Sequence, residues 1–395
     1  MMNKFLFRIF FAAILVLPAA GFCVGSNVGK AKPTVTPQEQ LLWDNVISLR
    51  QEADKFQRQN MPPRPGPDAN EKDINNYIKA AELFNKDIYK RVIPILDASK
   101  EYYIKYPKGA FAKENLDLLL TLFNSVVYLN DGIMRPEDQT VYNRLCTDEN
   151  LTAEQAGVLF WINLTGLHGL IETPKDVNQP DKKAIELLID KMEAQINNFG
   201  PRFKLQGSLL GGQLEMADAI EKLYPQRSKE ILELTRKYAT DEDKKKVDGI
   251  IRNKNILGTK SVIKFKTIDG NEVDLSKMKG KVVLIDFWAT WCQPCMIELP
   301  NVLNVYKKYH GKGFEIIGIS FDSDYESVKK VTKEMGMTWP QYFDGKFWGN
   351  ELGIYFGIRA IPTMWLVDKD GKVIDTDPRG PQLANKVAKL LGIAE

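Results

Sequence analysis

Residues 282–289, VVLIDFWA, make an unbroken strand-forming run in which Asp286 is the only polar member. A run of this length without polar alternation fits a strand buried on both faces, in the middle of a sheet rather than at its edge. The residues that follow, TWCQPCMIELP, change period at once and place Pro294 where the first turn of a helix tolerates it. Buried strand, tight turn and helix in succession require a layered α/β domain around them.

The flanking sequence supplies those layers. SVIKFKTIDGNEVDL (261–275) reads as two short strands around the turn Asp269-Gly270. After the helix expected over 293–310 come a strand at 314–321, a helix at 325–336, a helical piece at 349–356, strands at 363–368 and 373–375 around the turn KDGK, and a last helix from 381. Strands alternating with helices and closed by a hairpin predict one α/β domain over 255–395, with an antiparallel edge.

Ahead of it, residues 38–252 carry a different pattern. Leu42, Val46, Leu49, Ala53 and Phe56 recur at spacings of four and three, an apolar stripe on one helix, until MPPRPGP (61–67) stops it. Further amphipathic segments are expected at 71–105, 110–130, 136–146, 152–170, 181–198, 205–224 and 226–252, separated by pieces such as ETPKDVNQP. This half, 26–254, is therefore expected to be all-α. YIKYPKGAFAKENLDLLL and EKLYPQRSKEILELTRKY share Tyr-Pro, polar residues and an amphipathic helix, a pattern similar to the turns of tetratricopeptide-like arrays. A helix stop followed by an N-terminal proline explains it equally well, so repeat array and bundle both stay open.

The chain has 395 residues, with 54 Lys and Arg against 51 Asp and Glu. That balance lacks the basic excess of a nucleic-acid surface, and no nucleic-acid partner is expected. Lys4 and Arg8 flank the apolar run at 9–22, short for a membrane span, and small residues follow it. This predicts a signal peptide over 1–25 and an exported protein in the periplasm or cell envelope, or one anchored to the membrane through its N-terminus. Phe22 stands where lipid attachment at Cys23 would need a small residue.

Outside the cytoplasm, four cysteines are too few for a disulfide framework. Cys23 leaves with the leader, and Cys146 reads as a small buried residue. Cys292 and Cys295, three apart, read as a reactive pair. The strand delivers Cys292 to a helix N-terminus, where unsatisfied N–H groups and the helix dipole favour thiolate over thiol. Cys292 is thus the expected nucleophile. Cys295, one turn inward and expected to be the more buried, would resolve the mixed disulfide. Trp291 before the pair and Pro294 between its members are assigned to substrate contact, while Trp288 is read as core. Neither His168 nor His310 has a second ligand at metal spacing, so no metal is expected; His310 before Gly311 suits a helix C-terminus with glycine at C′.

DFWATWCQPC resembles the active site of the thioredoxin superfamily. Together with the export signal, the preceding hairpin and GIRAIPTMWLVDKDGKVI (357–374), it resembles the extracytoplasmic TlpA/ResA-type thiol–disulfide oxidoreductases over 258–395. The resemblance implies a C-terminal thioredoxin-like α/β domain behind the helical region, needing no cofactor. It implies that Pro362 is the family's cis-proline beside the cysteines, with Ile361 presenting its backbone to a bound peptide. Asp286 matches instead the buried acid of thioredoxin itself, which the TlpA/ResA type commonly lacks; burial raises the pKa of such an acid and lets it take the proton of Cys295. Glu298 matches an acid that tunes the thiols; a solvated first-turn glutamate is the plainer reading. The resemblance further implies a protein-disulfide reductase fed by a membrane electron donor, with cytochrome c maturation among its uses.

Three other readings remain open. A disulfide oxidase or isomerase would use the same residues at a different potential. A peroxidase would need threonine three residues before its cysteine, where this chain has Ala289, with Thr290 one place late. A partner-binding scaffold would make the helical half primary and the redox domain its appendage.

Overall fold

The computed structural model describes residues 35–66, 68–130, 132–172 and 181–393. The expected leader, Cys23 and most of the turn ETPKDVNQP lie outside them. The chain divides into two compact units, Met1–Tyr238 and Ala239–Glu395.

The regular elements among the described residues of the first unit are helices. Its helices are α1 (Pro37–Asn60), α2 (Glu71–Lys105), α3 (Ala112–Leu129), α4 (Gln139–Cys146), α5 (Ala153–Glu172), α6 (Lys182–Phe203), α7 (Gly207–Ile220) and α8 (Pro225–Tyr238). Their starts follow capping chemistry: the side chains of Thr36, Asn70 and Asp181 accept from the N–H groups of Glu39, Asp73 and Ala184. Helices pack on the next in sequence and on the next but one, as α5 does with α6 and α7. The two Tyr-Pro pairs both lie between helices, but differently. Tyr106 is the C-cap of α2, five residues before the N-cap of α3 at Phe111, whereas Pro225 is itself the first residue of α8.

The stripe expected on α1 is rotated. Glu39, Trp43, Val46 and Ala53 are the buried residues, and Leu42, Leu49 and Phe56 are half-buried. The Glu39 carboxylate draws this face inward by accepting from Tyr102 Oη and Ala110 N, both at 2.6 Å. Cys146 also differs from expectation. It is half-buried among polar groups, its Sγ accepting from Gln195 Nε2 at 3.2 Å, and burial pushes its thiol pKa up.

The single helix expected over 226–252 is two, and the break carries the unit boundary. Thr240 ends the run and caps α9 (Asp241–Lys254), its Oγ1 accepting from Asp243 N at 3.2 Å. Thr240 followed by Asp241, Glu242 and Asp243 is a helix-start signal that the amphipathic period hid. α9 therefore belongs with the C-terminal unit, against the expected boundary at 254/255. Gly249 lets it approach closely: a Cβ there would lie 2.0 Å from the Ile354 carbonyl oxygen.

The second unit continues with β1 (Lys264–Lys266), β2 (Glu272–Asp274), β3 (Val282–Trp288), α10 (Gln293–Tyr309), β4 (Phe314–Ser320), α11 (Tyr325–Met335), β5 (Gln341–Tyr342), α12 (Glu351–Tyr355), β6 (Thr363–Val367), β7 (Val373–Asp375) and α13 (Pro381–Leu391). β1 and β2 pair as the expected hairpin. The main sheet runs β5-β4-β3-β6-β7, with β3 parallel to β4 and antiparallel to β6. β3 is thus central, and all seven of its residues are buried. Only β5, two residues long, had no signal in the sequence. At the end of α10, a 3-10 turn over His310–Lys312 replaces the expected cap, and Gly313, not Gly311, takes the left-handed conformation (φ 99°).

Candidate active site

β3 ends at Trp288, and four residues later Cys292 is the N-cap of α10. Cys292 and Cys295 are joined as a disulfide, with Cα atoms 5.2 Å apart, and Cys295 N donates to Cys292 Sγ at 3.2 Å. The cap therefore uses sulfur where a helix normally uses oxygen, and the helix end that would stabilise a Cys292 thiolate is in hydrogen-bond reach. The expected difference in burial is absent: Cys292 is 4% and Cys295 5% exposed. Pro294 lies exposed in the first turn, and Trp291 is 46% exposed. Trp288, by contrast, is core, its Nε1 donating to buried Gln341.

Asp286 sits two residues before the end of β3, between Gly318 of β4 and Met364 of β6. It is buried, and its Oδ1 has no hydrogen-bond partner. Burial raises its pKa to about 7, the nearby Glu298 carboxylate adds to the rise, and the Arg379 guanidinium opposes it. A buried carboxyl balanced near neutrality can hold or release a proton at physiological pH.

Glu298 is half-buried and engaged, not solvated. Its Oε1 accepts from Gly380 N (2.8 Å) and Asn301 Nδ2 (2.7 Å), tying the first turns of α10 to the start of α13. The Ile361–Pro362 bond is cis, and pairing of Thr363 with Phe287 puts Pro362 at the same end of β3 from which the cysteine turn departs. Ile361 is half-buried there.

Several participants escaped the sequence reading. Arg379 donates from Nη2 to the Pro362 carbonyl at 2.9 Å and pairs with Asp377. Asp322 is 2% exposed and braces the turn before Cys292: its carboxylate accepts from Thr290 N (3.0 and 3.2 Å), Thr290 Oγ1 (2.6 Å) and Ser320 Oγ (2.8 Å). An acid just past the buried run FEIIGISF was its only trace. Across the site, the Trp291 ring meets Phe347 and Trp348 at centroid distances of 5.0 and 6.0 Å. Among the described residues, no group of three His, Cys, Asp or Glu side chains gathers as a metal site.

The Redoxin family model matches residues 259–390. The thiol-disulfide oxidoreductase ResA of Bacillus thuringiensis subsp. konkukian is 36% identical over 124 residues, 31% of this chain and 69% of that protein. ResA of Bacillus subtilis is 31% identical over 106 residues, 27% of this chain and 58% of that protein. A solved thioredoxin domain of a thiol-disulfide oxidoreductase from Bacteroides vulgatus is 34% identical, covering 34% of this chain and 97% of its own, with a TM-score of 0.32. A helix-capping cysteine pair, in a stretch that matches more than two thirds of such a relative at 36% identity, places the chain in the ResA-type thiol–disulfide oxidoreductases of the thioredoxin superfamily, as a member with an additional N-terminal helical region.

Proposed function

We propose that this oxidoreductase reduces protein disulfides in the cell envelope through Cys292 and Cys295. The observation that carries the reading is the capping cysteine pair with the neutral-pH carboxyl of Asp286 behind it. In the reduced protein, the Cys292 thiolate attacks one sulfur of a substrate disulfide; the S–S bond breaks, and the released substrate sulfur takes a proton. Ionised Asp286 then accepts the Cys295 proton, the Cys295 sulfur attacks Cys292 Sγ, and the mixed disulfide breaks, its substrate sulfur leaving as a thiolate that takes up that proton. The substrate leaves as a dithiol and the protein as the Cys292–Cys295 disulfide, two electrons having moved. A dithiol donor at the membrane restores the reduced pair.

Pro362, Ile361, Trp291 and Pro294 are assigned to the substrate contact, and Glu298 to setting the field at Asp286. The N-terminal run at 9–22 supports export. No described helix is long and apolar enough to cross a membrane. The helical unit is assigned to holding the partner. Deleting it should then lower activity on a protein substrate and spare a small disulfide; equal activity on both would remove that assignment. Against a peroxidase stands Thr290, whose hydroxyl is committed to Asp322.

The test is the reduction potential of the Cys292–Cys295 couple, equilibrated against dithiol buffers. A value near about −270 mV supports a reductase, and one near about −120 mV would make the protein a disulfide donor instead.

A further inference from the structure

A sulfur that bonds to Cys292 must come in over its neighbours, because Cys292 itself is almost covered. The partner residues beside that sulfur then land on Trp291 and on whatever Trp291 touches. It touches Phe347 and Trp348, which are 42% and 41% exposed and come from a loop more than fifty residues further on. Three open aromatic rings are thus continuous with the place where exchange occurs.

The loop that carries two of them is held tightly. Asp344 accepts from the N–H groups of Lys346 (3.0 Å) and Glu351 (2.8 Å) and from Tyr342 Oη (3.2 Å). Buried Asn350 donates to the Ser320 carbonyl (2.9 Å) and accepts from Gly353 N (2.8 Å). Trp348 rests edge-on against buried Phe321 at 5.3 Å. Within this frame Phe347 has φ 54°, a left-handed conformation that glycine or asparagine adopts readily and a bulky aromatic residue rarely does. Strain kept at one residue whose ring lies open beside a reactive site points to use of that ring. The exposed Lys346–Glu351 ion pair supplies a polar edge, the anatomy of an aromatic anchor with a wet rim.

We propose that Trp291, Phe347 and Trp348 form a rigid platform that receives the segment around the partner's cysteine. The platform selects protein disulfides flanked by aromatic or large aliphatic side chains over those flanked by small polar ones. This rests on the exchange reading above. Rings already fixed in place cost little further ordering on binding, so their contribution goes into preference.

The test uses the reduced full-length protein and two synthetic peptides, each with one internal disulfide, flanked in one by Phe and Leu and in the other by Ser and Gly. The wild type should reduce the apolar-flanked peptide about tenfold faster, which is roughly what one well-placed aromatic contact provides. Phe347→Gly, which suits the backbone, should bring the ratio of the two rates down severalfold, mainly through KM for the apolar peptide. Phe347→Asn, tolerant of the same conformation, should do likewise should glycine loosen the loop. A wild-type ratio near one, or a ratio that both variants leave intact while the overall rate falls, overturns the platform. Failure of the wild type to reduce either peptide or a small disulfide would instead overturn the exchange reading itself.

Discussion

Replacing Asp286 with Asn should change stability in a way that grows with pH. The carboxyl titrates at about 7 in the folded protein against an ordinary 3.8. The folded chain therefore holds this proton more tightly than the unfolded chain does. Below pH 3.8 both states are protonated, and the aspartate carries no electrostatic penalty. As pH rises, the unfolded chain ionises first and the folded state loses ground; above about 7 both are ionised and the loss is complete. Three pKa units at 1.36 kcal/mol each give a penalty of about 4 kcal/mol at pH 8, and the same linkage leaves about 2 kcal/mol at pH 5. Asparagine cannot ionise. Its amide, placed where Oδ1 already lacks a partner, adds a cost that does not vary with pH. Urea unfolding of the oxidised wild type and Asp286→Asn at pH 4, 5, 6, 7 and 8 should thus show a difference that climbs by about 4 kcal/mol in favour of the variant and then levels. Activity should move the other way, with resolution of the mixed disulfide slowed by about a hundredfold at pH 7, a usual worth for a positioned base. A stability difference that stays flat across this range would refute the claim that Asp286 is held near neutrality by burial.

Cys292→Ser should abolish exchange, while Cys295→Ser should accumulate a mixed disulfide with substrate, visible as a mass adduct released by a small thiol; its absence would reverse the roles of the two cysteines. Asp322→Ala strips Thr290 of two acceptors and should cost about 2–3 kcal/mol and slow exchange, with Asp322→Asn recovering part of both. Unchanged exchange in both variants would show that the brace does not matter to the cysteine turn. Gly249→Ala, a gain by helix propensity, should instead destabilise the C-terminal unit by about 1–3 kcal/mol, because the new methyl meets the Ile354 carbonyl. A raised melting temperature would show that α9 can move aside.

What the sequence determines by itself lies where the decisive interactions are short. The buried strand Val282–Trp288, the turn and the helix that Cys292 caps are legible because residue period, Pro294 and the capping position all act within about ten residues. The same holds for the β1–β2 hairpin and for the helical texture of the first unit. Even α9 was marked by Thr240 and three acids, although its amphipathic period ran on from α8.

Only the tertiary structure decides what those elements do to one another. Asp286 as a letter is an ordinary acid; it titrates near neutrality because the folded domain buries it, with Glu298 from α10 and Arg379 from before α13 acting on it in opposite senses. Thr290 gains its brace from Asp322, and Trp291 its aromatic neighbours, from loops brought in by strands β4 and β5. Burial, field and close packing depend on contacts between residues far apart in the chain, and such contacts leave no period in the sequence. The cysteine pair could therefore be read from its own ten residues and Asp286 expected from a resemblance, whereas Arg379, which acts on that acid, and the rings that meet Trp291 had to await the fold.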